Sequence, residues 1–241
     1  MKNKLMKLVL LLLTAEKMMR HLGKRWGATH DEVHSPFIGD DVIPHPMLET
    51  THGITINANP ATIWPWLVQM GYHRGGWYSD VWWDNLLNEH VWVWTEDPDQ
   101  RHEHPQPSAT QILPEYQNLA VGDLIPDGPE GSAFFTVSQI VPEKALVLHS
   151  TTHLRHMTPH RWQKHPAATS GEFSWTFVLD PIAPQQTRLL IRTRANIRPR
   201  WTQLLEPLFF GADFAIVRRI LLNLKGRIEN SVTAQTAVFA Q

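Results

Sequence analysis

The sequence predicts an α+β fold in which a curved antiparallel sheet wraps around one long C-terminal helix. Three observations carry this. The order of elements is a strand, short helices, a run of strands, then a long helix. The strands near 172–179 and 188–197 each have one apolar face, and the final helix has one broad apolar stripe. Burial of both surfaces at once lays the helix across the concave side of the sheet.

Residues 1–25 hold the apolar run Leu8–Leu13 and continue as a helix to Leu22, with Leu5, Leu8, Leu12, Ala15, Met19 and Leu22 on one stripe. Seven Lys/Arg stand here against Glu16, a net of +6 on a chain whose overall net is −1. About 20 apolar residues are needed to span a bilayer, and this run is shorter. Three readings stay open: a basic amphipathic helix lying in a membrane interface, a helix packed on its own domain or a partner chain, and a cleaved signal that Leu13-Thr14-Ala15 fits poorly. Residues 26–50 read as an extended connector broken by Pro36, Pro44 and Pro46.

The folded domain is expected over 51–230. Residues 51–57 alternate as a first strand, with Ile54 and Ile56 on one face. Asn59-Pro60 starts a helix, since Asn caps free N–H groups and Pro suits the first turn. Ile63, Trp66, Leu67 and Met70 follow at helical spacing, and Gly71 ends it. Residues 72–112 are irregular, with a Trp-rich half and a polar, Pro-containing loop at 95–110. Strands are predicted at 121–125, 133–141 and 144–152, then at 172–179 with Phe173, Trp175, Phe177 and Leu179 inward. The last, at 188–197, turns Leu189, Ile191, Thr193 and Ala195 inward and Arg188, Arg192 and Arg194 to a wet outer face. The final helix is expected over 201–230, split or kinked near Pro207. Its apolar face is read as Leu208, Gly211, Ala212, Ala215, Ile216, Ile220, Leu224 and Ile228, and 231–241 as a disordered, frayed tail. Small residues at the middle of such a helix leave room for a pocket.

Composition bounds the function. Eleven Trp and no Cys exclude disulfides and thiolate chemistry while supplying many large apolar faces. The net charge favours no nucleic-acid partner. No Gly-rich phosphate loop precedes a helix, and no cofactor is implied. His149, His153, His156, His160 and His165 lie close together, but on a Pro-broken loop without metal-site spacing. Solvated histidines and no metal are the expectation.

The segments Trp26–Val33, Ile63–Gly71, Arg74–Asp80, Leu119–Asp123 and Leu204–Pro207 with Asp213-Phe214 together resemble the START-like (SRPBCC) superfamily. The likeness is to its bacterial polyketide cyclase/dehydrase and lipid-transport group, and within that to a largely uncharacterised subgroup. It extends from about residue 26 to 230, and the His- and Pro-rich stretch 95–110 departs from it. The resemblance implies a helix-grip fold of the START/Bet v 1-like kind and a small hydrophobic ligand, lipid-like or aromatic, in a central cavity. A cyclase/dehydrase-type enzyme is the alternative it leaves, with Asp80, Tyr78 or His73 moving protons. An interaction module using the Trp-rich 64–94 region is a further one. A cytoplasmic protein, peripheral to the inner membrane where residues 1–25 dock, is the matching location.

The candidate ligand residues follow from the expected interior. Trp66 and Met70 come from the first helix. The Arg74–Asp80 turn supplies Arg74 as a fork for a carboxylate or phosphate, Trp77 and Tyr78 as walls, and Asp80 to orient Arg74 or a ligand hydroxyl. Phe135, Val137, Trp175, Phe177, Leu189 and Ile191 form the inward strand face, and Gly211, Ala212 and Ala215 the small-residue bay of the last helix. The bland alternative is a turn whose arginine pairs locally, over a solid core.

Overall fold

The computed structural model describes residues 22–79, 107–156 and 170–239, together with Met6, Thr14 and Lys17. The chain enters this description as a helical segment, 22–25, and then forms α1 (His30–His34). Thr29 and Glu32 make a reciprocal capping box there, each side chain accepting the other's backbone N–H. Next come β1 (Leu48–Ile56) and α2 (Pro60–Val68), whose first turn is capped by the Asn59 side chain with Pro60 at the first position. After it lie β2 (Leu124–Pro126), β3 (Phe134–Val141) and β4 (Ala145–Ser150). A single turn, α3 (His153–His156), precedes β5 (Ser170–Ala183) and β6 (Gln186–Arg198). A 3-10 helix (Arg200–Leu205) leads directly into α4 (Glu206–Phe239).

All six strands form one antiparallel sheet in the order β1-β6-β5-β4-β3-β2. The first strand thus pairs with the last. After β1 the chain crosses to the far edge and meanders back, and α4 returns across the concave face. This is the helix-grip arrangement, with Leu189 and Leu179 cross-paired in the β5–β6 hairpin and Leu148 facing Trp175 across β4–β5.

The interior is solid where α4 meets the sheet. Val137, Phe177, Leu179, Leu189 and Ile191 of the strands join Val217, Ile220, Leu221, Leu224 and Ile228 of α4 in one buried cluster. Ile220, Leu224 and Ile228 of the predicted face are buried, but the first half of the helix is turned from the predicted phase. Phe210, Asp213 and Val217 are buried, while Leu208 and Ala212 are exposed and Gly211 and Ala215 only half-buried. The apolar stripe of this helix is broad enough to offer two phases, and the one that buries Phe210, Val217 and Leu221 removes more large side chains from water. The small-residue bay therefore does not face the sheet. Pro207 falls in the first turn of α4, where its missing N–H costs nothing, and the split from the preceding segment lies at the change from 3-10 to α geometry. The helix runs on to Phe239, through the stretch expected to fray from 231.

The outer face of β6 is covered rather than wet. The segment expected to be a mere connector folds back over it and is held by three arginines. Arg188 pairs with Glu32 at 2.7 Å and donates to the Gly27 carbonyl. Arg194 pairs with Glu49 at 2.7 Å and donates to the carbonyls of Asp40 and Ile43. Arg192 is only 2% exposed. It pairs with Asp40 at 2.8 Å, donates to the carbonyls of Glu32, Val33 and Ser35 at the end of α1, and lies 3.7 Å from the Phe37 ring centre. A guanidinium so buried is tolerable because its donors are satisfied. Burial still lowers its pKa, and Asp40 opposes that shift. The domain thus begins well before residue 51.

Candidate functional site

Among the described residues, the largest gathering of aromatic side chains lies at one end of the concave face, over β3, β4 and the start of β5. Strand alternation turns Phe173, Trp175 and Phe177 to the same side, with ring centres 5.5 and 6.2 Å apart in succession. Phe135 of β3 stacks on Trp175 at 5.4 Å and 20°. Trp77 arrives from the loop after α2 and meets both, edge-on, at 5.5 Å from Phe135 and 5.7 Å from Trp175. That loop is shaped by the Gly71–Gly76 bridge. At Gly76 (φ +73°) a Cβ would fall 2.6 Å from Ser108 Oγ, so only glycine fits.

Two features separate this cluster from ordinary core. Trp77, Phe173 and Trp175 remain half-buried. The Trp77 and Trp175 indole N–H groups are buried yet donate to nothing among the described residues. Leaving such donors unmade costs about 1–3 kcal/mol each. These N–H groups suit an acceptor brought by a ligand.

One titratable side chain borders the cluster. The His153 ring lies 4.2 Å from Phe135 and 5.7 Å from Phe173. Its Nε2 is 2.9 Å from Asp127 Oδ2 and its Nδ1 is 2.7 Å from Ser150 Oγ. The Asp–His–Ser order has the look of a proton relay, but Ser150 Oγ also accepts the Thr152 backbone N–H. That engagement suits a turn cap better than a nucleophile. His153 was expected to be a solvated loop histidine, and the structure packs it between aromatic rings instead. Asp127 precedes it by 26 positions, so no local spacing in the sequence links the two. Among the described residues, no three His, Asp or Glu side chains converge as a metal site.

The predicted site residues divide. Trp77, Phe135, Trp175 and Phe177 come together in the aromatic cluster. Trp66, Met70, Val137, Leu189 and Ile191 are buried core. Arg74 is not a free anion fork. Its Nε donates to the Met70 carbonyl at 3.0 Å and Nη2 to the Val68 carbonyl at 2.9 Å, capping the end of α2. Burial lowers its pKa, and it lies over the Tyr116 ring at 4.7 Å. Tyr78 is a core pin rather than a wall or a proton mover. Its hydroxyl donates to the Trp66 carbonyl at 3.1 Å and accepts from Gln69 Nε2 at 2.8 Å, and burial drives its pKa upward. The structure places His73 on the surface, away from the aromatic cluster. Gly211, Ala212 and Ala215 lie on the side of α4 turned from the core. Asp80, Trp82, Trp83, Trp92 and Trp94 lie outside the described residues, as do His160 and His165.

A second buried polar group sits at the opposite flank of the concave face. Asp213 of α4 accepts from Thr50 Oγ1 at 2.6 Å, His52 Nε2 at 3.0 Å and Thr193 Oγ1 at 2.9 Å. Both carboxylate oxygens are used, and the knot ties α4 to β1 and β6.

No protein-family model matches the chain, and no curated protein matches it. Among solved structures it is similar to a protein of Mesorhizobium loti, at 17% identity over 76% of this chain and 98% of that one, with a TM-score of 0.42. It is also similar to the Aha1 dimer of Colwellia psychrerythraea, at 19% identity over 76% and 97% with a TM-score of 0.36. A third similar structure is an HSP90 activator of Plasmodium falciparum, at 10% identity over 61% and 72% with a TM-score of 0.29.

Proposed function

We propose that the protein is a binding or carrier protein of the START-like kind, and that it holds a small, largely apolar molecule against the aromatic end of its sheet. The supporting observation is the pair of buried indole N–H groups, Trp77 and Trp175, that face no acceptor beside half-buried aromatic rings. A flat or lipid-like body would stack on Phe173 and Trp175, and a carbonyl or ether oxygen would receive the free N–H. The site is at the β3–β5 end and not beneath the middle of α4, where side chains fill the space.

The test is titration of the purified protein with a panel of lipids and polycyclic aromatics, read by tryptophan fluorescence and by native mass spectrometry. Trp175→Phe keeps an aromatic ring and removes the N–H together with the five-membered part of the indole. It should weaken an acceptor-bearing ligand about 3- to 10-fold, the equivalent of ~1 kcal/mol. Equal affinity in Trp175→Phe and Trp175→Ala would sink the proposal.

A cyclase/dehydrase-type activity is the second reading, favoured by His153 with Asp127 at the rim of the same cluster. In it the aromatic face orients a flexible substrate and His153 moves a proton through its Asp127 or Ser150 contact. Substrate turnover that His153→Gln abolishes, with ligand affinity unchanged, would select this reading over simple carriage.

A further inference from the structure

We propose that the protein docks on an anionic bilayer through a ridge at the start of its last helix. Trp201, Leu204 and Leu208 are exposed by 57, 82 and 65%. The 3-10 geometry of Arg200–Leu205 eclipses positions three apart, so Trp201 and Leu204 align, and Leu208 follows four residues on, in α4. Large apolar side chains grouped in this way on a surface mark a place of contact.

The charge beside the ridge identifies the occupant. Lys24 Nζ lies 3.5 Å from Glu206 Oε1, which brings the helical segment 22–25 against the first turn of α4. Between that segment, the β1 edge and Phe210 opens a cleft of about 580 Å³. Lys17, Lys24 and Arg25 line it with Glu49, Lys24 being also paired with Glu206, and Met47 and Phe210 stand among its apolar walls. Excess positive charge over an apolar base fits lipid phosphates above acyl chains. In sequence, residues 1–25 carry a net +6, a charge of the sign that anionic lipid attracts. Trp favours the headgroup level and Leu the acyl boundary. Among the described residues no helix is long and apolar enough to cross a membrane, and the ridge is proposed to lie on the bilayer surface.

The experiment is co-sedimentation of the full chain with phosphatidylglycerol-containing vesicles and with pure phosphatidylcholine vesicles, across a salt series. The expected result is partitioning onto the anionic vesicles alone, falling as salt rises. Leu204→Ser/Leu208→Ser should lower it tenfold or more, by roughly the loss of two apolar side chains to insert. Lys17→Gln and Lys24→Gln should each lower it about fivefold. Trp201→Phe, a mild change at an exposed position, should reduce the blue shift of emission on vesicle addition even where the double serine variant folds poorly. Equal partitioning onto both vesicle types, or undiminished binding and an unchanged blue shift in the ridge variants, would overturn the proposal. So would a dimer in light scattering that the ridge substitutions split, because a second copy of the chain would then be the occupant.

Discussion

The two flanks of the concave face bury polar groups in opposite ways. At the β1–β6 flank the Asp213 carboxylate receives Thr50, His52 and Thr193, so α4 is fastened there through a carboxylate whose two oxygens are both engaged, although His52 Nδ1 on the far side of the imidazole has no partner among the described residues. At the β3–β5 flank, Trp77 and Trp175 bury N–H groups without acceptors among rings that stay half-open. Folding alone explains the first arrangement. A lone buried donor lowers stability, so the second points to a partner that the folded chain does not itself supply. The difference teaches that the Asp213 carboxylate holds the fold through bonds the chain itself supplies, whereas the two indole donors of the aromatic cluster lie side by side beside half-open rings, where a ligand could meet them.

The contrast can be broken most directly at Asp213. Replacement by Ala leaves a buried imidazole and two hydroxyls without their acceptor, and should lower the unfolding free energy by ~3–5 kcal/mol in urea titration. A neutral result would mean that this flank is not what fastens α4. Arg192→Leu is expected to rank next, at ~2–4 kcal/mol, since it strands the carbonyl groups at the end of α1 and leaves Asp40 with only Arg194 and the Phe37 N–H. Hydrogen exchange should then rise selectively in residues 30–47. If protection there is unchanged, the clamp over the outer face is dispensable.

Trp175→Phe sharpens the comparison from the other side. Removing an unpaired N–H relieves an unmet donor while the smaller phenyl ring gives up some packing, so stability should change by no more than ~1 kcal/mol while ligand affinity falls. A large loss of stability would reassign Trp175 to structure.

The smallest effect expected is acid sensitivity at Glu32. Burial raises its pKa, but the Arg188 hydrogen bond, the Thr29 backbone bond and the Arg188 charge outweigh that and hold it below the usual carboxylate value of 4.5. A depressed folded-state pKa gives stability that is fully present above the unfolded value and lost as pH falls through the folded one. Glu32→Gln should therefore flatten the acid limb of the stability profile below about pH 4.5 and remove the pairing contribution at neutral pH. An unaltered acid limb would exclude the Glu32–Arg188 pair as its source.

Much of the fold could be read locally. Period-two alternation located β5 and β6, and Asn59-Pro60 announced α2, because these signals depend on neighbours in sequence. The Thr29–Glu32 capping box was equally local, although the prolines around it made the segment look extended. The aromatic members of the candidate site, Phe135, Trp175 and Phe177, were legible as an inward strand face. His153 and Asp127 were not, since their meeting depends on the β2–β3 edge closing over α3. Arg74 and Tyr78 carried the residue types of a binding site, yet the carbonyl groups of α2 claim their donors.

What the sequence by itself determined is the main strands, α2 and the long last helix, together with the inward faces of β5 and β6, because backbone periodicity and side-chain polarity are properties of short stretches; α1 and α3 lay in stretches read as connector and loop. Only the tertiary structure decided the rotation of α4, the folding of residues 27–47 over the three arginines, and which buried donors find acceptors. Each of these is a competition between alternatives of similar local energy. The winner is set by contacts between residues far apart in the chain, such as Asp213 with Thr50 or Arg192 with Asp40.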